Sequence, residues 1–205
     1  MTQVLAAALM GAWSHGRHAL VHHRLAWIGG PAMAGGALVG ALASAHVSGR
    51  ALLATFGLMT TAALPLMFVT PAEPERDGDP ARVPFSRPAA VGLPGAIGLM
   101  AGLVGAGGAF LLVPVLVGVM GIPMRLGIGT SLAMVGMAAV TGFLGKVATG
   151  QVPLWPAATV VLGSLTGAPL GGRVSRRVPV RVLRVVLAGI IALVMLRVWH
   201  DVATH

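Results

Sequence analysis

Long apolar runs divide the chain. Residues 27–45, 51–69, 127–145, 155–172 and 182–199 each approach the roughly 20 apolar residues that a helix needs to cross a bilayer core. The run at residues 4–13 is too short on its own. Its charges follow it rather than precede it, which makes it a poor secretory leader. Residues 89–120 form one run of 32 residues. As one straight helix it would be roughly 48 Å long, too much for one crossing and too little for two regular ones. Its middle reads GLVGAGGAF, and Gly105, Gly107 and Gly108 invite the backbone to leave the helix there. The pattern predicts two pieces, residues 89–104 and 109–120, joined by a glycine break. The most hydrophilic stretch, TPAEPERDGDPAR at residues 70–82, mixes charges with Pro and Gly and reads as a solvated loop. The expectation is an all-α, polytopic membrane protein with about seven to eight membrane segments.

The two halves of the chain resemble each other. GALVGA at residues 36–41 matches GSLTGA at residues 163–168, an offset of 127. His46, Val47 and Ser48 then fall on Arg173, Val174 and Ser175, and Trp27 and Trp155 open the preceding runs one residue out of step. Carried backward, Thr2 and Gln3 face Thr130 and Ser131, so Met1 falls on Gly129. The division that follows is an incomplete first transmembrane repeat (residues 1–70), a hydrophilic loop (71–88) and a complete second repeat (89–205). The alignment also predicts that Met1 is an internal start, with about 35 to 40 residues and a second glycine break upstream.

Charge orients the repeats. With two passes through residues 89–120, one face collects eleven basic residues: Arg17, Arg24, Arg76, Arg82, Arg87, Arg125, Arg173, Arg176, Arg177, Arg181 and Arg184. The other face has three, Arg50, Lys146 and Arg197, whereas a single pass divides the basic residues seven to seven. Basic loops stay in the cytoplasm, which favours two passes and two inverted repeats. The location expected is the cell inner membrane, as a multi-pass plasma membrane protein.

Composition agrees and excludes other classes. Of 205 residues 56% are hydrophobic and 9% charged, with 30 Gly, 14 Pro and a mean hydropathy of +0.89. A soluble domain carries about 25% charged residues, and a disordered chain is more polar still. Absence of Cys removes disulfides, Fe–S clusters, thiolate zinc sites and thiol nucleophiles. The net charge of +9 lies between apolar runs, so it points to the lipid bilayer as partner and not to nucleic acid.

Several motifs carry candidate chemistry. Gly105, Gly107 and Gly108 would either expose N–H groups at a half-helix start, where an anion binds, or let helices pack closely. Pro114, inside the second piece, frees a carbonyl and suits a helix lining a cavity. Gly129, Thr130 and Ser131 stand at the start of an apolar run, where the hydroxyls would cap a helix, donate to an oxyanion, or both. The GxxxG pairs Gly36/Gly40 and Gly163/Gly167 read as packing. His15, His18, His22 and His23 flank Arg17 and Arg24 and read as a basic interfacial loop, not a metal site, since no carboxylate or Cys completes one. No cofactor is expected. Glu73, Glu75, Asp77, Asp79 and Asp201 all lie outside the apolar runs, so no carboxylate relay crosses the membrane. Lys146, at a helix end, reads as an interfacial snorkelling residue that can also draw anions in.

These residues resemble the TauE/SafE family of sulfite and anion exporters. GLVGAGGAFLLVPVL at residues 102–116 is similar to the family's glycine-rich signature ending in Val-Pro. GTSL at 129–132 resembles its second signature, and LWPAATVVLGSLTGAPLG at 154–171 its third. Residues 92–198 resemble one complete family repeat, and residues 2–69 the later part of the other. Two departures stand out: Ala109 replaces a frequent third Gly, and the first glycine-rich element is missing. The resemblance implies a membrane transporter, an exporter of a small anion such as sulfite or an organosulfonate, and not an enzyme. The missing element keeps a second reading open, a non-transporting or partner-dependent membrane subunit or truncated paralogue. An intramembrane enzyme is a third, weaker reading, because Thr130 and Ser131 have no base in their own run. The oligomeric state stays open, a homo-oligomer included. The site expected is an anion near mid-membrane on the N–H groups around Gly107 and Gly108 and the hydroxyls of Thr130 and Ser131, without a buried Arg or Lys. Gly105, Pro114 and Gly129 would shape it.

Overall fold

The computed structural model describes residues 21–69, 86–151 and 178–204, together with residues 163 and 167. Every regular element among them is helical. In chain order they are α1 (His23–Ala43), α2 (Gly49–Val69), α3 (Arg87–Val104), α4 (Ala109–Pro114), α5 (Met124–Ala148) and α6 (Val180–Thr204). A 3₁₀ turn (Ser44–His46) extends α1, and a π-turn (Val115–Val119) extends α4. Among the described residues, five stretches are long and apolar enough to cross a membrane: His23–His46, Gly49–Leu66, Arg87–Val104, Leu126–Ala148 and Val185–Thr204. The expected segments at residues 4–13 and 155–172, the loop at 70–82 and Arg173, Arg176 and Arg177 lie outside the described residues. So do the repeat alignment through residues 155–172 and the total of seven to eight segments.

Local chemistry sets the helix ends. The His22 side chain caps α1, its Nδ1 accepting from Leu25 N–H at 3.2 Å. Pro88 sits in the first turn of α3, where its missing N–H costs nothing. Extended Pro123 starts α5 at Met124, three residues before the apolar run begins at Gly127.

The bundle is built around α1, which packs against α3 on one side and α5 on the other. Without a hydrophobic drive between helices in lipid, close backbone approach holds such faces together. On the α1–α3 face a Cβ added at Gly36 would collide with the Gly95 carbonyl oxygen, and one at Gly40 with that of Leu99. Reciprocally, Gly98 lies on the Met33 backbone and Gly102 on that of Ala37. The packing role expected of Gly36 and Gly40 is therefore met. Gly163 and Gly167 are helical and exposed, and nothing among the described residues lies within 4 Å of a Cβ there.

The order of these contacts fixes direction. Met33 meets Gly98 and Ala37 meets Gly102, so α1 and α3 run parallel. His22 N–H donates to Thr130 Oγ1 at 3.0 Å, Thr141 Oγ1 to the Ala34 carbonyl at 2.7 Å, and Lys146 Nζ to Ser44 Oγ at 2.7 Å. These pairs ascend together, so α5 is parallel to α1 as well. A single pass through residues 89–120 would have made α1 and α5 antiparallel. The chain instead turns back between α3 and α5, as the two-piece reading expects. Arg24, Arg87 and Arg125 thereby belong to the N-terminal ends of three parallel helices, and Lys146 to the opposite end.

Candidate functional site

The turn-back is made by glycines in the left-handed region: Gly105 at φ +86°, Gly107 at +76° and Gly108 at +68°. Any other L-residue there costs about 1–2 kcal/mol. Gly105 ends α3, its N–H donating to the Ala101 carbonyl at 2.8 Å. Gly108 begins α4, its carbonyl accepting from Leu111 N–H at 3.2 Å and Leu112 N–H at 2.9 Å. The N–H groups of Gly108, Ala109 and Phe110 precede the first intrahelical bond. No hydrogen bond from them is found among the described residues.

This helix start lies deep in the bundle. Gly107 and Gly108 are buried. A Cβ on Gly108 would lie 2.9 Å from Ala101 Cβ, 3.1 Å from Ile97 Cγ2 and 3.3 Å from Met33 Cε. Met33 is the middle residue of α1. From this depth the apolar helix Ala109–Val119 runs back toward the start of α5. Its 11 residues cover about 16 Å, half of a bilayer core of about 30 Å. The positive end of its dipole therefore points from mid-depth toward the face where α1, α3 and α5 end.

Pro114 is buried within this half-helix and removes one backbone donor. The helix then widens, with Met120 N–H donating to the Val115 carbonyl at 3.2 Å and Ile122 N–H to that of Leu116 at 3.0 Å. On the outer side Phe110 stands edge-on to Phe56 of α2, centroids 5.7 Å apart.

Thr130 and Ser131 depart from expectation. They do not stand at a helix start, because Pro123 places that start at Met124, and both lie inside continuous α5. They cap nothing. Both are buried, and their protons are committed within α5: Thr130 Oγ1 donates to the Leu126 carbonyl at 2.7 Å, and Ser131 Oγ to that of Ile128 at 2.8 Å. Thr130 also accepts the His22 N–H. Its place is the α1–α5 seam. Gly129 is buried in the same turn. No hydrogen bond joins the glycine break to Thr130 or Ser131 among the described residues. α5 meets the half-helix one turn earlier, where a Cβ on Gly127 would lie 2.9 Å from Val117 Cγ2.

Two more expectations are corrected. His22 is 1% exposed and serves as a helix cap, so it does not belong to an interfacial loop; His23 and Arg24 are exposed, and His15 and His18 lie outside the described residues. Lys146 does not simply snorkel. Besides Ser44 Oγ, its ammonium reaches Gln151 Oε1 at 3.0 Å and the Leu103 carbonyl at 3.3 Å. Ser44 Oγ lies 3.1 Å from the same Gln151 oxygen, and Gln151 Nε2 donates to Thr149 Oγ1 at 2.8 Å. This knot ties together the ends of α1, α3 and α5. Ser44 and Gln151 were not singled out in the sequence, where each is one polar residue at the edge of an apolar run.

Against known proteins, a family model described as "Sulfite exporter TauE/SafE" matches residues 1–198. No curated protein and no solved structure matches the chain.

Proposed function

The chain belongs to the TauE/SafE sulfite exporter family, and from that premise we propose that it is a transporter moving a small anion, sulfite or an organosulfonate, outward across the cell inner membrane. The family consists of membrane transporters, not enzymes, and the apolar helices mark this chain as a membrane protein. The observation that carries the finer reading is the half-helix that begins at Gly108 beside the midpoint of α1. An N–H group bare in hydrocarbon costs several kcal/mol. A small oxyanion satisfies several such groups at once, and the helix dipole offsets part of its desolvation.

In this reading the N–H groups around Gly107 and Gly108 hold the anion, with Gly105 and Pro114 shaping the break. Thr130, Ser131 and Gly129 stand level with His22, about eleven residues or roughly 16 Å along the bundle from the break beside Met33, so in this reading they meet the anion on the cytoplasmic side of the break. The two hydroxyls reach an anion only by turning their protons away from the Leu126 and Ile128 carbonyls. The ends bearing Arg24, Arg87 and Arg125 face the cytoplasm, which puts the open end of the half-helix dipole toward the outside.

The test is sulfite or sulfonate flux by the purified chain in liposomes. Flux above protein-free vesicles is expected; none for any small anion would favour a partner-dependent subunit. The double variant Thr130→Val, Ser131→Ala tests the hydroxyls as ligands, because unchanged flux and affinity would remove both from the site. Reporter fusions at Asp79 and His205 should report opposite compartments, and the same compartment would refute the sidedness.

A further inference from the structure

Lys146 is a partly buried cation held by neutral groups. An ammonium has three donors, and here they meet the Ser44 hydroxyl, the Gln151 amide oxygen and the Leu103 carbonyl. No carboxylate among the described residues pairs with it; the described acid, Asp201, lies 3.7 Å from His200 at the end of α6. Neutral acceptors orient a charge without cancelling it, and a charge withdrawn from water is costly until it is paired.

Its position matters as much as its charge. The Leu103 carbonyl is two residues before Gly105, which closes α3 and opens the break. The ammonium is therefore fixed at the outer lip of the turn-back, on the side toward which the half-helix's positive end points. Two sources of positive potential, one ionic and one dipolar, bracket the same stretch of backbone. The contact to Leu103 is the longest of the three, at 3.3 Å, and a lysine stem lets the head swing while Ser44 and Gln151 stay in place.

Resting on the transport reading, we infer that Lys146 is a substrate-docking residue. Its ammonium leaves the Leu103 carbonyl to pair with the oxyanion as it passes between the glycine break and the outer face. Ser44 and Gln151 are positioning residues that hold the head over that path. The pair forms and breaks by exchange of hydrogen bonds, with no covalent step.

The experiment measures sulfite flux in liposomes and sulfite binding to the detergent-purified chain for wild type, Lys146→Gln, Lys146→Arg, Ser44→Ala and Gln151→Ala. Docking predicts that Lys146→Gln raises KM and Kd by roughly tenfold or more, the factor carried by loss of a charged hydrogen bond. Vmax stays within about twofold, and Lys146→Arg recovers most of the affinity. Ser44→Ala and Gln151→Ala, which keep the charge but release the head, raise KM and Kd by a smaller factor, about three- to fivefold, with Vmax little changed. If Lys146→Gln leaves KM and Kd unchanged, or if all variants lose Vmax and stability together, Lys146 is only a helix-end tie and the inference is overturned. Binding that is lost in Lys146→Gln while wild type shows no flux would preserve docking and defeat transport. Wild type with neither binding nor flux would overturn both.

Discussion

Two glycine-rich regions of this molecule do opposite things. Along the α1–α3 seam, Gly36, Gly40, Gly98 and Gly102 keep helical geometry and bring two backbones into contact. At the α3–α4 junction, Gly105, Gly107 and Gly108 abandon helical geometry and reverse the chain. Spacing separates the cases. Glycines four apart share one face, so they act as a groove for a neighbouring helix. Glycines two and one apart share no face and weaken the helix at consecutive positions, so the chain breaks there. The first arrangement gives rigidity and the second a helix start at mid-depth whose first N–H groups have no intrahelical partner.

The contrast can be broken at its strongest point first. Gly40→Leu should abolish the folded protein, because even a Cβ there collides with the Leu99 carbonyl. Overpacking of this kind costs about 1–3 kcal/mol or more, and backbone atoms cannot swing away. Size-exclusion profile and thermal unfolding in detergent measure it. A monodisperse, normally stable Gly40→Leu protein would show that the seam is looser than described.

A smaller effect is expected at Gly108→Ala. The left-handed backbone costs about 1–2 kcal/mol, and the new Cβ must push Ala101 Cβ back from 2.9 Å. The chain should fold with a lowered unfolding temperature and a reduced sulfite flux. Full stability would mean that the break tolerates a side chain and that its glycines serve another purpose.

Smallest is the control. Gly35 is helical and exposed, with nothing among the described residues within 4 Å of a Cβ. Gly35→Ala should raise stability by about 0.5–1 kcal/mol through helix propensity alone. A loss would show that this outward face of α1 is also a packed seam.

Much of this was legible in the sequence, for identifiable reasons. The break at Gly105–Gly108 was, because glycine content acts locally. The α1 seam was too, since the spacing of Gly36 and Gly40 names a face without naming its partner. The placement of Thr130 and Ser131 at a helix start does not hold, because that start depends on Pro123 and Met124, which lie just before the apolar run and are weakly marked by hydropathy. His22 looked like part of a basic loop; only the fold shows its side chain turned onto α1 and its N–H onto Thr130. The Lys146 knot was not legible. Ser44, Leu103 and Gln151 lie 102, 43 and 5 residues from Lys146, and no local pattern records that three helix ends meet.

The central claim is that a small anion is taken at the start of the half-helix. Its most direct measurement is sulfite flux into liposomes by wild type and Gly107→Leu, matched for folded protein, with Gly35→Leu as a bulk control on an exposed face. The account predicts flux in wild type and Gly35→Leu and flux at the protein-free level in Gly107→Leu. Equal flux in wild type and Gly107→Leu would contradict it.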